Sequence, residues 1–301
     1  MQIRHLFYLA FTLFVISCNN QPKFSLSSTE NSPTDNYAVA SAHPLATQAG
    51  IDILNQGGNA FDAAVAVTSV LAVVEPYASG FGGGGFWLLH LAEEDRDVMI
   101  DGREVAPLAA THDMYIDANG NATKHSVSGP LAAGIPGTPA ALSHLAEKYG
   151  RLPLKTSLKT AINLARNGFS VSDFYASRAA AVKDRINSFP HSAAIFLQQG
   201  DVPQAGYILK QTDLAEVIES IAENGADGFY HGKVANQLVS SVQQAGGIWQ
   251  QKDLSSYRII ERSPIRGKYK NLEIVSASLP SSGGIVLMQV LNMLSNFDLQ
   301  N

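Results

Sequence analysis

Five glycines in six positions, Gly80-Phe81-Gly82-Gly83-Gly84-Gly85, separate an almost wholly apolar stretch, Ala60 to Val74, from the apolar run Phe86 to Ala92. The run satisfies G-x-G-x-x-G as a string. A dinucleotide site needs strand, glycines, helix in that order, so that the helix N-terminus faces the pyrophosphate. Here the order is helix, glycines, strand, and the nucleotide reading is rejected. Two uses remain. The glycines let two layers approach closely, or their N–H groups line a pocket; spacing alone favours the first.

The apolar stretch before the loop reads as a helix. Asn59 can cap it, and Asp62 falls in the first turn, where the helix dipole favours a carboxylate. Its 15 residues, one of them Asp62, are short of the about 20 that a membrane span needs, so a buried core helix is expected. Glu75-Pro76 stops it. Upstream, Tyr37 to Ser41 reads as a strand. Pro44 opens a helix with Leu45, Ala49, Ile53 and Leu54 on one face, closed by Gly57-Gly58.

After the loop, Phe86 to Ala92 and Val98 to Asp101 read as hairpin strands around a charged turn, Glu93–Asp97. A long helical block follows. Helices are expected from Thr138-Pro139 to Gly150, from Leu154 to Asn167, from a Ser172 cap, from Asp213 to Asn224-Gly225, and from Gly232 to Ala245. Arg258 to Ile265 and Leu272 to Ser276 read as returning strands, and Ile285 to Phe297 as a last apolar helix. Strands near both ends with helices between them predict an α/β (α+β) layered domain over residues 37–301.

The first residues read as an address. Leu6 to Ile16 is an apolar run of 11 residues after Arg4 and His5, which suits a signal peptide over residues 1–17. It ends Val15-Ile16-Ser17-Cys18, which resembles a bacterial lipobox, with Cys18 as the lipidated residue. Residues 18–36, rich in Ser, Asn, Thr and Pro, read as a flexible tether. The expectation is an exported lipoprotein held to a membrane by its lipid, at the outer membrane in a Gram-negative cell.

Composition narrows the function. With 46% hydrophobic and 16% charged residues, a mostly disordered chain is excluded. A net charge of −5 and no basic stripe argue against a nucleic-acid partner. The one cysteine, Cys18, excludes an internal disulfide framework and cysteine-cluster metal sites. None of the eight histidines sits in H-E-x-x-H, and no metal constellation is expected.

Candidate residues each have a plain alternative. His43, before Pro44, reads as a capping residue more readily than a catalytic one. Thr111-His112 could pair a hydroxyl with a base, but neighbours on a loop rarely do. Ser281 and Ser282 could bind an anion at a helix N-terminus or simply cap it. Arg103, just past the second hairpin strand, could grip a carboxylate through two parallel N–H···O bonds; locally, a surface salt bridge with Glu104 is the expected outcome.

Taken together these residues resemble the large-subunit segment of the γ-glutamyltransferase (glutathione hydrolase) family. The matching stretches are His43-Pro44-Leu45-Ala46-Thr47, Gly57 to Ala66, Glu75-Pro76, Ser79 to Phe86 and Asp101 to Pro107. Gly134 to Pro139, Ala222 to Gly225 and Pro280 to Ile285 continue the series in register. The resemblance implies an N-terminal-nucleophile hydrolase with stacked α-β-β-α layers, present here in part, and no cofactor. It implies a proenzyme that cuts itself to free a threonine, with glutathione or other γ-glutamyl compounds as donors. Water, an amino acid or a peptide would accept the glutamyl group, and a small subunit would come from the same precursor.

Arg103 matches the arginine that clamps the glutamyl α-carboxylate, which reverses the salt-bridge expectation. No Thr-Thr-His occurs in the chain, so the nucleophile is expected beyond Asn301 and the chain by itself is expected to be inactive. A cephalosporin-acylase-like relative and a non-catalytic lipoprotein fragment are the competing readings.

Overall fold

The computed structural model describes residues 37–298. The proposed leader, Cys18 and the tether lie outside the described residues. Helix α1 (Pro44–Asn55) and helix α2 (Ala60–Val74) pack against each other. Helix α2 starts at a full capping box. The Asn59 side chain accepts from the N–H groups of Phe61 and Asp62, and the Asp62 carboxylate accepts from the Asn59 N–H. Val65, Ala66, Val70 and Val73 are fully buried, so this helix is the centre of the core. The buried face of α1 is Ala46, Ala49, Gly50 and Ile53. Leu45, expected on that face, is exposed: one position of rotation puts small residues against α2 and lets the helices approach closely.

The glycine loop leads into a hairpin, β1 (Gly85–Leu91) and β2 (Arg96–Gly102), paired from Gly85↔Gly102 to Leu91↔Arg96. It is longer than the sequence suggested, because Asp95 adopts a φ of 46° and the chain reverses in four residues. Helix α3 (Thr138–Tyr149) lies against β2, and helix α4 (Leu154–Asn167) against α2. In α4, Leu158, Ala161 and Ala165 recur at helical spacing and are buried. It stops at Gly168, whose φ of +94° and whose hypothetical Cβ, 2.5 Å from Ile208 Cγ2, exclude other residues without rearrangement.

Strand β3 (Phe169–Ser170) and strand β4 (Ile208–Leu209) form a two-residue ladder. Between them run α5 (Asp173–Ala181), capped by Ser172 as expected, and two short helices, α6 (Lys183–Asn187) and α7 (Pro190–Phe196), which the sequence did not announce. Helix α8 (Thr212–Asn224) packs on α4; α9 (Asp227–Tyr230), α10 (Gly232–Gln244) and α11 (Gln251–Ser255) follow.

Two expectations near the ends are corrected. Tyr37–Ser41 joins no described β-ladder. Arg258–Ile265 is not one strand. It splits into β5 (Ile260–Arg262), which pairs with β2, and β6 (Ile265–Tyr269), which pairs with β7 (Leu272–Ser276) in a separate sheet. Pro264 lies at the break and has no N–H to give a ladder. Helix α12 (Gly283–Leu294) closes the series; Gly284 is its one buried residue, while Val286, Leu287, Val290 and Met293 are exposed.

Glu261 of β5 straps α3 to the sheet. Its Oε1 takes bonds from His144 Nε2 at 2.7 Å, Lys148 Nζ at 2.6 Å and the Tyr149 hydroxyl at 2.7 Å. Burial alone would raise its pKa, but the bonds from Lys148, Tyr149 and His144 outweigh burial and hold it at about 2. A carboxyl lowered on folding stabilises the fold above its ordinary value of 4.5 and loses that contribution as the pH falls toward 2. The expected result is a melting temperature that falls more steeply between about pH 5 and about pH 3 in the wild type than in Glu261→Gln. Parallel slopes would show that the strap does not respond to pH.

Candidate functional site

Strand β2 ends at Gly102, and Arg103 is the next residue. The glycine loop runs beside it so closely that a Cβ on Gly84 would lie 2.3 Å from the Gly102 oxygen and 2.9 Å from the Arg103 Cα. The loop is pinned from its other side. The Gly83 carbonyl accepts from the N–H groups of Gly137 (2.9 Å) and Thr138 (3.0 Å) and from the Thr138 hydroxyl (3.1 Å). That carbonyl therefore occupies the N-terminus of α3, satisfying donors that a helix start leaves unpaired. The close approach expected of the glycines is realised, since two segments meet at backbone contact, and the loop residues also line a cleft.

The cleft has a volume of about 660 Å³. Besides the loop, Thr68, Trp87, Arg103, Glu104 and Thr138 line it. The Trp87 indole N–H donates to the Thr68 hydroxyl at 3.3 Å, which fixes one wall. A larger cavity, about 880 Å³, is walled by Tyr77, Phe174, Arg178 and Phe189 among others; it shares the turn Pro76–Ala78 with the cleft but does not include Arg103.

The Arg103 side chain is 48% exposed. Its Nη1 donates to the Gly84 carbonyl at 3.0 Å, its Nη2 lies 3.2 Å from Glu104 Oε2, and its guanidinium stands 5.8 Å from the Phe86 ring centre. The salt bridge that the local sequence favoured is therefore present, and so is the cleft. A guanidinium carries five N–H donors, so two engaged donors leave capacity for an anionic ligand.

The backbone of Arg103 is held on both sides. Its N–H donates to Asp101 Oδ1 at 3.1 Å, and the Tyr257 hydroxyl donates to its carbonyl at 2.8 Å. Asp101 is itself paired with Arg262 Nε at 2.8 Å. The Tyr257 ring is stacked on Tyr230, 5.4 Å between centres and 3° between planes, and the Tyr230 hydroxyl donates to the Pro136 carbonyl at 2.7 Å. Sequence reasoning missed Tyr257, Tyr230 and Arg262. The partners of Tyr257 and Arg262 lie more than 150 positions away, and no local pattern marks them.

The remaining candidates take their plain roles. His43 caps α1, its Nδ1 accepting from the Leu45 N–H at 3.2 Å. Burial lowers its pKa against the opposing pull of Glu75, which suits a neutral ring that accepts. Thr111 bonds to Asp113 at 2.7 Å and His112 is almost fully exposed, so they form no hydroxyl–base pair. Ser281 accepts from the Gly283 N–H at 3.3 Å, while Ser282 makes no capping bond through its side chain. Among the described residues no group of His, Cys, Asp or Glu side chains could hold a metal ion, and no helix is long and apolar enough to cross a membrane.

Residues 46–301 match the family model described as Gamma-glutamyltranspeptidase. The chain is 44% identical over 264 residues to a glutathione hydrolase proenzyme of Escherichia coli (strain K12), covering 87% of this chain and 45% of the relative. The chain thus spans about half the length of the curated relatives it matches. The crystal structure of Helicobacter pylori gamma-glutamyltranspeptidase superposes with a TM-score of 0.87 at 41% identity, over 90% of this chain and 78% of that one. A cephalosporin acylase from Bacillus halodurans superposes with a TM-score of 0.81 at 30% identity, over 92% of this chain and 53% of that one.

Proposed function

Because the chain belongs to the gamma-glutamyltranspeptidase family, we propose that it forms the arginine-bearing part of an enzyme that cleaves γ-glutamyl amides such as glutathione. The observation that carries this reading is Arg103. It lines a cleft at a strand end, its backbone is held on both sides, and its guanidinium has donors to spare. A γ-glutamyl group carries an α-carboxylate on a Cα two methylenes from the amide to be cut, within the span of one cleft. A planar fork at one end of the cleft would hold that end of the group by pairing with the carboxylate.

The attacking group belongs to the other half of the proposed enzyme. There a threonine, freed by self-cleavage, would attack the γ-carbonyl and release the amine, using its own α-amine as base. Water, an amino acid or a peptide would then take the glutamyl group. This chain holds no Thr-Thr-His; alone it would bind without turning over, and its partner would be the small subunit of the same precursor. Attachment to a membrane through Cys18 belongs to the same proposal.

The structural likeness to a cephalosporin acylase keeps cleavage of other acyl amides as a second reading. The experiment is to express this chain together with its nucleophile-bearing half and assay two anilides, γ-glutamyl and 4-aminobutyryl, which differ only in the α-carboxylate. Strong preference for the γ-glutamyl anilide supports the proposal; equal turnover favours the acylase reading. Turnover of the γ-glutamyl anilide by this chain alone, above a no-protein blank, would place the nucleophile wrongly.

A further inference from the structure

We propose that Tyr257 is a positioning residue for substrate recognition, acting through its hydrogen bond to the Arg103 carbonyl. The inference rests on the reading of Arg103 as the carboxylate clamp. A clamp works only if its root is fixed. A side chain as long as arginine loses considerable rotamer freedom when it binds, and a mobile backbone beneath it would add to that cost. Arg103 lies past the end of β2 and outside any ladder, apart from the Val105↔Ile135 bridge two residues on. Its two backbone groups go to Asp101 and to Tyr257 instead.

The phenol is built in from every side. Tyr257 is 5% exposed. A Cβ on Gly137 would lie 2.2 Å from its oxygen and 2.1 Å from the Gly102 carbonyl, so that oxygen, the strand end and the start of α3 meet with no space between them. The stack on Tyr230 fixes the ring plane, and Tyr230 is anchored in turn to Pro136. Tyr257 itself does not line the cleft. It cannot touch a ligand there; it can only decide where Arg103 stands. Residues that lock a binding group without contacting the ligand commonly set affinity through that geometry.

The test uses the complete protein, this chain with its nucleophile-bearing half. Tyr257→Phe keeps the ring stack and removes one hydrogen bond. The expected result is a KM for the γ-glutamyl anilide raised about fivefold with kcat within about twofold, the size of one lost neutral hydrogen bond. The 4-aminobutyryl anilide, having no carboxylate to place, should change by less than about twofold. Competitive inhibition by L-glutamate against 4-aminobutyrate reads the same contrast as binding. Asp101→Ala, which removes the acceptor on the N–H side of the same residue, should shift KM in the same selective way.

Equal losses on both anilides would make Tyr257 a purely structural residue and overturn the proposal, as would an unchanged KM and an unchanged L-glutamate inhibition. Arg103→Ala, measured alongside, separates the two levels. If it fails to discriminate between the anilides, the clamp reading itself falls. If it discriminates and Tyr257→Phe does not, only the positioning role is lost.

Discussion

Replacing Asp62 with alanine is expected to destabilise the fold by about 3–5 kcal/mol, among the larger effects a single substitution produces. The carboxylate is fully buried. Its Oδ2 accepts from the Asn59 and Arg151 N–H groups, each at 2.9 Å, and its Oδ1 from the Leu152 N–H at 3.3 Å. Three backbone donors from two segments thus converge on one side chain, and the Asn59 amide donates to the Tyr149 carbonyl at 2.7 Å beside them. Alanine would leave all three N–H groups without their protein partner, and each one that water does not reach costs about 1–3 kcal/mol before relaxation. Gly150 allows this packing, since a Cβ there would stand 2.4 Å from Asp62 Oδ1. Asp62→Asn keeps the shape and one acceptor but turns an amide N–H₂ toward backbone donors, so an intermediate loss is expected. Urea unfolding of both variants measures this; a loss below about 1 kcal/mol for Asp62→Ala would show that water replaces the carboxylate.

On the proposed function, Arg103→Ala in the complete enzyme is expected to lower kcat/KM for a γ-glutamyl amide by roughly one to two decades, the equivalent of about 1.5–3 kcal/mol for a charged hydrogen bond. Arg103→Lys should recover part of this, because a lysine supplies the charge but not the fork. Self-cleavage should be spared, since the peptide bond cut in processing presents no free α-carboxylate. Subunit processing on a gel, read beside kcat/KM, checks both halves. If Arg103→Ala abolishes processing, the residue supports the fold through Gly84 and Glu104 and the salt-bridge reading was sufficient.

How much of this was visible in the sequence depends on the range of the forces involved. Helix α2 was legible to the residue because its signals are local: Asn59 and Asp62 make the cap, and Glu75-Pro76 follows the last turn. Helix α4 was legible for the same reason, with Pro153 before it and Gly168 after it. On the buried face of α1, Ala49 and Ile53 are as expected, while Leu45 is exposed and Ala46 and Gly50 are buried instead. Ala46 and Gly50 are buried because α2 comes close, and closeness is a tertiary fact. The division of Arg258–Ile265 had a local cause in Pro264, but which sheet each part would join did not.

The site divides in the same way. Local sequence offered Arg103 a partner in Glu104, and that partner is there. The family resemblance, carried by the stretches from His43 to Ile285, supplied the expectation of a clamp. Neither pointed to Tyr257 or Arg262, whose roles exist only once β5 lies beside β2. Helix α12 shows the converse limit. Its sequence reads as an apolar helix, yet Val286, Leu287, Val290 and Met293 are exposed, because composition states what a helix can bury and not what covers it.

The stacked pair Tyr230 and Tyr257 also gives the molecule an alkaline boundary. Burial raises both phenols above the ordinary tyrosine value of 10, with the coulombic effect of Asp101 adding to it at Tyr257. An acid held protonated by folding favours the native state below its ordinary value and ceases to do so as rising pH ionises it in the unfolded chain. The two rings should therefore keep their ultraviolet spectrum unchanged while exposed tyrosines turn to phenolate, and then ionise together as the chain opens. Burial raises Tyr77, Tyr149 and Tyr175 as well, so the part of the alkaline ultraviolet change that Tyr257→Phe removes, not the total, is a label-free reporter of the scaffold beneath Arg103.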